Sequence, residues 1–243
     1  MAITLFQFKL LSTQMLTPSV KQFFISNIQQ PSFDFIPGQF ITIHFEHSGK
    51  MLKRSYSIAN PPTNDHSIEF AASHVESGPG TDYLFNLKPE DTLQVSGPFG
   101  RLILKEETPK RYIFVATSTG ITPYRSMISR LQQRLEAHPE LSIVVLEGVQ
   151  TQHDLLYADD FLRWAAQTPR VIFRGFLSRE QCNEPHLHHG YVQHGFADLQ
   201  LNPTEDHVYL CGNPAMIDDA FQLLQNQGFS SQHIIREKYI SSK

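Results

Sequence analysis

Cysteine is scarce in this sequence: Cys182 and Cys211 are the only two among 243 residues. Two thiols are too few for a disulfide-stapled secreted scaffold or for a four-cysteine iron–sulfur cluster. Long apolar runs are also missing, because no stretch approaches the roughly 20 residues that a membrane-spanning helix needs. Finally, no block of Lys and Arg interrupts a chain whose net charge is -4, which argues against nucleic acid as a partner.

What is present has the composition of an ordinary globular protein, with 40% hydrophobic and 18% charged residues. Met1–Leu11 alternates apolar and polar residues, which predicts a first strand and not a signal peptide. We therefore expect a cytoplasmic protein. A length of 243 residues suits two domains of about 100–150 residues each.

The first hundred residues have an all-β pattern. Short runs rich in Phe, Ile, Val and Thr recur between turns that contain Gly or Pro, which predicts a small barrel or sandwich. The predicted strands include Gln22–Ser26, Phe40–His44, Lys53–Ile58 and Ile68–Ala72, with turns at Gly78–Gly80 and Gly97–Pro98.

From Arg111 the pattern changes to alternating apolar strands and amphipathic helices, which predicts a doubly wound, parallel α/β sheet. The charged segment Lys105–Lys110 is the expected boundary, giving domains 1–105 and 106–243. The predicted strands are Tyr112–Ala116, Leu141–Leu146, Val171–Phe176, Val208–Cys211 and Ile234–Ile240; helices are predicted around Met127–Leu135, Leu155–Ala166 and Met216–Leu224.

One strand of the barrel carries residues suited to a cofactor. Arg54 and Tyr56 are two residues apart and therefore share a face, whereas Ser57 points the other way or ends the strand. A guanidinium that binds phosphate, beside a ring that stacks on a heterocycle, suits an aromatic cofactor with phosphate groups. The alternative is an ordinary edge strand with a solvated Arg.

Three further candidates follow strands of the predicted parallel sheet, whose carboxyl ends line the ligand crevice of such folds. Ala116–Pro123 is a small-residue turn that opens a helix and favours an anion, unless it is a plain strand-to-helix turn. Cys211–Met216 repeats that arrangement, although a lone Cys is commonly a small buried hydrophobe. Ser178–Gln181 could hold a phosphate monoester or simply cap a helix.

Four histidines invite a metal interpretation. They lack a recognisable ligand spacing and occupy what we predict to be a surface loop, so no metal is expected. They are His186, His188, His189 and His194.

Taken together and in order, these stretches resemble the ferredoxin–NADP⁺ reductase family of flavoproteins over nearly the whole chain. Arg54–Ser57 resembles the R-x-Y-S/T flavin motif, and Gly78–Leu84 resembles the G-x-x-S/T-x-x-L pyrophosphate segment. Gly97–Gly100 is similar to the G-P-F-G turn that closes the flavin barrel. Thr119–Pro123 and Cys211–Met216 match the two loops on the nicotinamide side.

The resemblance implies that the first domain is an antiparallel, Greek-key β-barrel and that FAD is its cofactor. Arg54 would neutralise the diphosphate, Tyr56 would pack on the isoalloxazine ring, and Ser57 would hydrogen-bond near flavin N5. The remaining implied FAD-binding residues are Ser55, Ser73, His74, Val75, Gly80 and Thr81.

On the nicotinamide side, the resemblance implies that Cys211 lies beside nicotinamide C4, that Glu237 is the carboxylate of the reaction centre, and that Tyr239 covers the flavin until nicotinamide displaces it. Ser57, Cys211, Glu237 and Tyr239 are thus the implied catalytic residues. Residues implied to bind the nicotinamide dinucleotide are Thr119, Gly120, Thr122, Pro123 and Gly212.

Ser178 and Arg179 resemble the residues that hold the 2′-phosphate of NADPH, and Tyr191 resembles the one that stacks on adenine. NADPH is therefore expected in preference to NADH. Three departures stand out: His189 replaces a basic residue usual before that Tyr, Ser118 replaces a Gly, and Ile240–Lys243 extends beyond the Tyr that ends plant-type chains.

The implied activity is hydride transfer between NADPH and bound FAD, with electrons passed singly to a small carrier, ferredoxin or flavodoxin. One alternative is an NAD(P)H:flavin reductase or the separate reductase component of an oxygenase. Another is a non-catalytic, flavin-binding electron-transfer or sensor subunit, for which Ser118 is the only argument.

Overall fold

The computed structural model describes residues 4–28, 33–64 and 66–240. The chain divides into two compact units. The first contains residues 4–104 together with Thr122–Ser129, and the second contains Lys105–Ile121 together with residues 130–240. The division into domains 1–105 and 106–243 stays a prediction.

The first unit is built on a six-stranded antiparallel sheet. Its strands are β1 (Phe6–Thr17), β2 (Val20–Asn27), β3 (Phe40–His47), β4 (Lys50–Ser57), β5 (Ser67–Ser73) and β6 (Thr92–Phe99), with one helix, α1 (Pro79–Asn86). The order across the sheet is β4-β3-β6-β1-β2-β5. A bridge between Ile58 and Phe70 joins the end of β4 to β5, so the two edge strands meet as in a barrel.

Alternation along the strands explains this sheet. In β3, Ile41, Ile43 and Phe45 are buried, and they pair across the ladder with Tyr56, Arg54 and Leu52 of β4. Opposite residues of an antiparallel pair share a face, so Arg54 and Tyr56 lie together on the face that these buried residues occupy.

The segment Thr122–Ser129 is fastened to this unit by polar contacts. Arg125 donates to the Glu69 carboxylate (2.7 Å) and to the Ala59 carbonyl (3.1 Å). The Gly38 amide donates to the Ser126 hydroxyl oxygen at 3.0 Å.

The second unit is a parallel sheet with helices. Its strands are β7 (Arg111–Thr117), β8 (Ser142–Val149), β9 (Val171–Leu177), β10 (Leu187–His189), β11 (Asp206–Gly212) and β12 (Ile234–Lys238). The helices are α2 (Thr122–Ala137), α3 (Ala158–Gln167) and α4 (Pro214–Asn226), and the first half of α2 belongs to the first unit. Short 3-10 turns cover Ser118–Ile121, Gln152–Asp154 and Val192–Phe196.

The strand order β10-β9-β8-β7-β11-β12 confirms the predicted α/β fold class. The order reverses between β7 and β11, because the chain first adds strands on one side of β7 and then on the other. Ligands of such sheets bind at the carboxyl ends of the strands beside this switch point. The loops after Thr117 and Gly212 flank it.

Three local predictions were wrong. Gly78–Gly80 does not form a simple turn: Pro79 begins α1, because its fixed φ suits the first helical position. Gly97 and Pro98 lie inside β6. The histidine segment is not a plain loop, because Leu187–His189 pairs with β9 as β10, where His188 stacks on Phe176 at 5.2 Å between ring centroids.

Candidate functional site

The strand predicted to hold FAD is β4, which pairs residue by residue with β3 from Lys50 to Ser57. Tyr56 packs on Phe70 with ring centroids 5.2 Å apart, and burial raises its pKa to about 12, so the phenol stays protonated. Ser57 is buried, whereas Ser55 lies on the other face from Tyr56 and its hydroxyl is 3.0 Å from that of Thr42.

The first turn of α1 lies against Arg54. A Cβ on Gly80 would come within 2.8 Å of Arg54 Cγ, so only a glycine lets the guanidinium stem lie over this turn. The first hydrogen bond of helix α1 runs from the Asp82 amide to Gly78 O (2.9 Å). The amides of Gly80 and Thr81 come earlier in the chain than this first bonded amide. A cation beside early helix amides is a chemical fit for a diphosphate.

Thr81 shapes the loop that precedes the helix. Its hydroxyl lies within hydrogen-bond distance of Val75 O and Gly78 O, 3.0 Å each, and accepts from the Val75 amide at 3.2 Å. Ser73, which ends β5, and His74, whose amide donates to Ser19 O, lead into this loop. What Thr81 offers a ligand is therefore its main-chain amide.

In the second unit, the loops after β7 and β11 are interlocked. A Cβ on Gly120 would lie 2.3 Å from Cys211 O, and one on Gly212, whose φ is +121°, would lie 2.4 Å from Thr117 Oγ1. The Thr117 hydroxyl oxygen accepts the Asn213 amide (2.8 Å), and the Asn213 side chain caps α4 by accepting from Ala215 N (2.8 Å). These contacts hold the two loops at a fixed spacing.

The other residues predicted to bind the nicotinamide dinucleotide lie where the loop after β7 leads into helix α2. Thr119 and Gly120 lie in the 3-10 turn, and Thr122 and Pro123 begin α2. Ser118 adopts a left-handed conformation with φ +47°, a region that glycine occupies without strain.

Cys211, Glu237 and Tyr239 form a cluster at the end of β11. Cys211 and Glu237 are register partners on adjacent parallel strands, and Tyr239 lies close enough to the Cys211 thiol to influence its pKa. Burial, and then the neighbouring Glu237, raise the pKa of the Cys211 thiol well above its usual value. Burial raises the pKa of Glu237 to about 7.

The cluster therefore offers an uncharged thiol and a carboxyl that can hold a proton near neutral pH. The main-chain amide of Tyr239 donates to Gly212 O at 2.8 Å. Tyr239 comes directly after Lys238, the last residue of β12, and is half-buried. Of the tail beyond it, Ile240 is exposed, and residues 241–243 lie outside the described residues.

Ser178 and Arg179 follow β9 and are held through their main chain. The Ser178 amide donates to Val149 O (3.0 Å) and the Arg179 amide to Gln150 O (2.9 Å). The Ser178 hydroxyl also donates to Val149 O at 3.2 Å, whereas the Arg179 side chain is exposed.

Tyr191 presents its ring to solvent, with 63% of the residue exposed. His189, two positions before it, approaches Glu180 O with Nδ1 at 2.9 Å. A carbonyl accepts only from a protonated nitrogen, so Nδ1 is the donor of this bond. In the described part of the chain, no three or more His, Cys, Asp or Glu side chains are grouped as for a metal ion.

One chemically notable residue was not predicted. Glu147 of β8 is fully buried, its Oε1 accepts the Leu156 amide (3.0 Å), and its Oε2 has no hydrogen-bond partner among the described residues. Burial raises its pKa well above the usual value. It is the register partner of Ala116, which in turn pairs with Cys211. A single Glu between apolar residues was the only available signal in the sequence.

Comparison with known proteins identifies two kinds of domain in this chain. Residues 7–103 match the family model of an oxidoreductase FAD-binding domain, and residues 114–222 match that of an oxidoreductase NAD-binding domain. Ferredoxin--NADP reductase B of Sorangium cellulosum is 30% identical over 241 residues, which cover 96% of this chain and 97% of that protein. The chain belongs to the ferredoxin–NADP reductase family.

Two further matches are the reductase component of an oxygenase system and a solved structure. The ferredoxin--NAD(P)(+) reductase component of the naphthalene 1,2-dioxygenase system of Pseudomonas putida is 29% identical, over 85% of this chain and 61% of that protein. The crystal structure of a ferredoxin NADP+ reductase from Neisseria gonorrhoeae with bound FAD and NADP superposes with a TM-score of 0.84 at 21% identity, covering 98% of this chain and 99% of that one. The latter likeness shows the fold.

As a member of this family, the chain is an FAD-dependent oxidoreductase that uses a nicotinamide dinucleotide. Arg54 against the glycine of α1 fits the diphosphate of FAD, and the glycine-lined loops at the switch point fit a second nucleotide. None of the helices in residues 4–28, 33–64 and 66–240 is long and apolar enough to cross a membrane.

Proposed function

We propose that this reductase takes hydride from NADPH onto FAD and passes electrons singly to ferredoxin or flavodoxin, in the cytoplasm. The cluster of Cys211, Glu237 and Tyr239 is the observation that supports the hydride step. It places a neutral thiol, a protonatable carboxyl and an aromatic side chain at the carboxyl end of β11.

Each residue of the cluster has a chemical task in this proposal. The buried Cys211 thiol offers an uncharged surface for the nicotinamide ring, and Glu237 holds or releases a proton near pH 7. Tyr239 swings aside by rotating its side chain while its amide stays on Gly212 O. Bound FAD supplies the redox chemistry, since it accepts a two-electron hydride and returns electrons one at a time.

The preference for NADPH rests on Ser178 and Arg179. A Ser hydroxyl and an exposed guanidinium on neighbouring residues suit a phosphate monoester. The Ser178 hydroxyl currently donates to Val149 O and turns to the phosphate when the nucleotide binds.

Anaerobic titration of the FAD-loaded protein tests the proposal. NADPH is expected to bleach the flavin absorbance at lower concentration than NADH, and the reduced protein is expected to reduce flavodoxin or ferredoxin. Flavin that stays oxidised with both nucleotides would contradict the hydride step. An Arg179→Ala variant that keeps the wild-type preference for NADPH would contradict the phosphate site; Arg163→Ala, an exposed Arg of α3, is the matched control.

A second function is favoured by the similarity to the oxygenase reductase component. In that case the chain would donate electrons to an oxygenase system, or would reduce free flavin as a substrate. Retention of FAD through gel filtration distinguishes these: tightly held FAD supports the carrier reductase, whereas FAD that exchanges freely supports a flavin reductase. Competition between purified flavodoxin, ferredoxin and free flavin for electrons then identifies the acceptor class.

A further inference from the structure

Glu180 joins two segments that lie on opposite sides of the proposed phosphate site. Its carboxylate Oε2 accepts the amide of Gln152 at 2.7 Å, at the start of the 3-10 turn Gln152–Asp154. Its main-chain carbonyl accepts from His189 Nδ1 at 2.9 Å, at the end of β10. The residue is partly buried and follows Arg179 directly.

These two bonds complete a frame around Ser178 and Arg179. On one side, both amides are bonded to the carbonyls of Val149 and Gln150. On the other side, the Gly190 amide donates to Leu177 O at 2.9 Å. Leu177, which accepts the Gly190 amide, comes directly before the pair, and Glu180, whose carbonyl accepts from His189, comes directly after it. The pair is therefore fixed relative to Tyr191, which comes directly after Gly190.

Most bonds of this frame use main-chain atoms, which a substitution does not remove. Two bonds depend on a side chain: His189 supplies Nδ1 to one, and Glu180 supplies its carboxylate to the other, which comes from Gln152 N. The bond to the Glu180 carboxylate is charge-assisted and short, and such bonds are among the stronger ones in proteins.

We propose that Glu180 is a positioning residue for NADPH selectivity: its carboxylate holds the phosphate-binding pair against the turn Gln152–Asp154, while its carbonyl links the pair through His189 to the segment that carries the adenine-binding Tyr191. This inference rests on the proposed preference for NADPH. A bidentate guanidinium contact depends steeply on geometry, so a small displacement of Arg179 weakens the 2′-phosphate contact while leaving the rest of the dinucleotide in place.

A carboxylate beside a phosphate site is unfavourable when its charge faces the phosphate, because like charges repel. Here the Glu180 carboxylate is turned to the amide of Gln152, at the amino end of a turn, where negative charge is stabilised. Asp154 acts alike on the preceding amide, since its Oδ2 accepts from Thr151 N at 3.0 Å. The Gln152 amide thus stabilises the negative charge of Glu180, which reduces the repulsion between this charge and the 2′-phosphate.

The test uses three variants of the full-length, FAD-loaded protein. Glu180→Ala removes the acceptor, and Glu180→Gln keeps an acceptor but not the charge. Glu184→Ala is the matched control, because Glu184 lies in the same segment but accepts from the side-chain Nε2 of Gln152, at 3.4 Å, and not from its main-chain amide. Binding of 2′,5′-ADP and of 5′-AMP is measured by calorimetry, since these nucleotides differ in the 2′-phosphate alone. KM and kcat with NADPH and NADH, and hydrogen exchange of the Gln152 amide, complete the set.

We expect Glu180→Ala to weaken binding of 2′,5′-ADP and raise the KM for NADPH about tenfold, because the displaced Arg179 would lose about one charge-assisted hydrogen bond to the 2′-phosphate. The kcat with NADPH and the binding of 5′-AMP are expected to stay unchanged, and the Gln152 amide is expected to exchange faster. Glu180→Gln should restore most of the affinity, and Glu184→Ala should match the wild type.

Three results would overturn the inference. Equal weakening of 2′,5′-ADP and 5′-AMP by Glu180→Ala would show that the residue supports nucleotide binding in general. Tighter binding of 2′,5′-ADP by both Glu180 variants would show that its charge acts on the phosphate by repulsion. Unchanged binding despite faster exchange of Gln152 would leave the bond purely structural. A wild-type protein that binds both nucleotides equally would instead refute the proposed NADPH preference, on which this inference depends.

Discussion

The two units present their candidate ligand residues in different ways. In the barrel, Arg54, Tyr56 and Ser57 lie on a strand whose every residue pairs with β3. In the parallel sheet, the corresponding residues lie beyond or at the ends of strands, and hydrogen bonds to the side chains of Thr117 and Glu180 hold the loops there. The first site is made from a backbone ladder and the second from individual contacts between loops.

This difference determines how each site should respond to substitution. A ladder keeps its geometry when one side chain is removed, so a change on β4 removes a ligand contact and little else. Loops that touch through glycines and single hydrogen bonds change their shape, so a change there affects stability and ligand together.

The largest effect should come from Arg54→Ala. Arg54 is predicted to bind the FAD diphosphate, and losing two charge-assisted hydrogen bonds there, at about 1.5 kcal/mol each, would lower FAD affinity about 100-fold. Fluorescence titration of the apoprotein with FAD measures it, and Lys53→Ala on the exposed face of the same strand is the control. A melting temperature of the apoprotein that falls as well would break the proposed contrast between ladder and loops.

Gly212→Ala should lower the free energy of unfolding by about 2 kcal/mol, because the added Cβ would combine a positive φ with overlap on Thr117. Gly49→Ala is the matched control: its φ is also positive, at +74°, but nothing lies within 4 Å of the added Cβ. Chemical denaturation of both variants separates backbone strain from crowding. Equal losses would mean that the loops after β7 and β11 do not depend on their close approach.

Glu147 predicts a stability that declines with rising pH. Its pKa is raised in the folded protein, whereas in the unfolded chain it titrates near 4.5. Below pH 4.5 both states hold the proton; above it the unfolded chain alone releases it, which costs folding up to about 1.4 kcal/mol per pH unit until the folded pKa is reached.

Glu147→Gln keeps an acceptor for Leu156 N and cannot ionise, so its free energy of unfolding should vary less between pH 5 and pH 8 than that of the wild type. Glu140→Gln, at an exposed position, should leave the wild-type slope unchanged. Parallel urea melts across this pH range provide the comparison, and identical slopes for Glu147→Gln and the wild type would exclude a buried, protonated Glu147.

The smallest effect is expected from Ser118→Gly. Glycine adopts the left-handed conformation of this residue without strain, but it also gains freedom in the unfolded chain. The net gain in the free energy of unfolding is therefore only about 0.5 kcal/mol. A loss of stability would mean that the Ser118 side chain makes a stabilising contact that outweighs its strained backbone.

Periodicity was sufficient to predict the two sheets, because apolar alternation in β3 and apolar runs in β7, β8 and β11 depend on sequence alone. Gly-Pro-Gly was misread as a turn, since the same residues also suit the start of α1. The roles of Glu147 and Glu180 were out of reach. Their burial and bonding depend on partners that lie many residues away in the chain, Leu156 and Gln152.

The segment Thr122–Ser129 has a consequence for protein engineering. It follows β7 in the chain yet supplies the barrel unit with Arg125, bound to Glu69 and Ala59, and with Ser126, bound to Gly38. A chimera that joined the barrel of this chain to the nucleotide-binding half of a relative at residue 105 would take these two residues from the wrong parent. Recombination within the family should therefore treat residues 122–129 as part of the barrel, and a junction that ignores them should give a less stable flavin-binding unit.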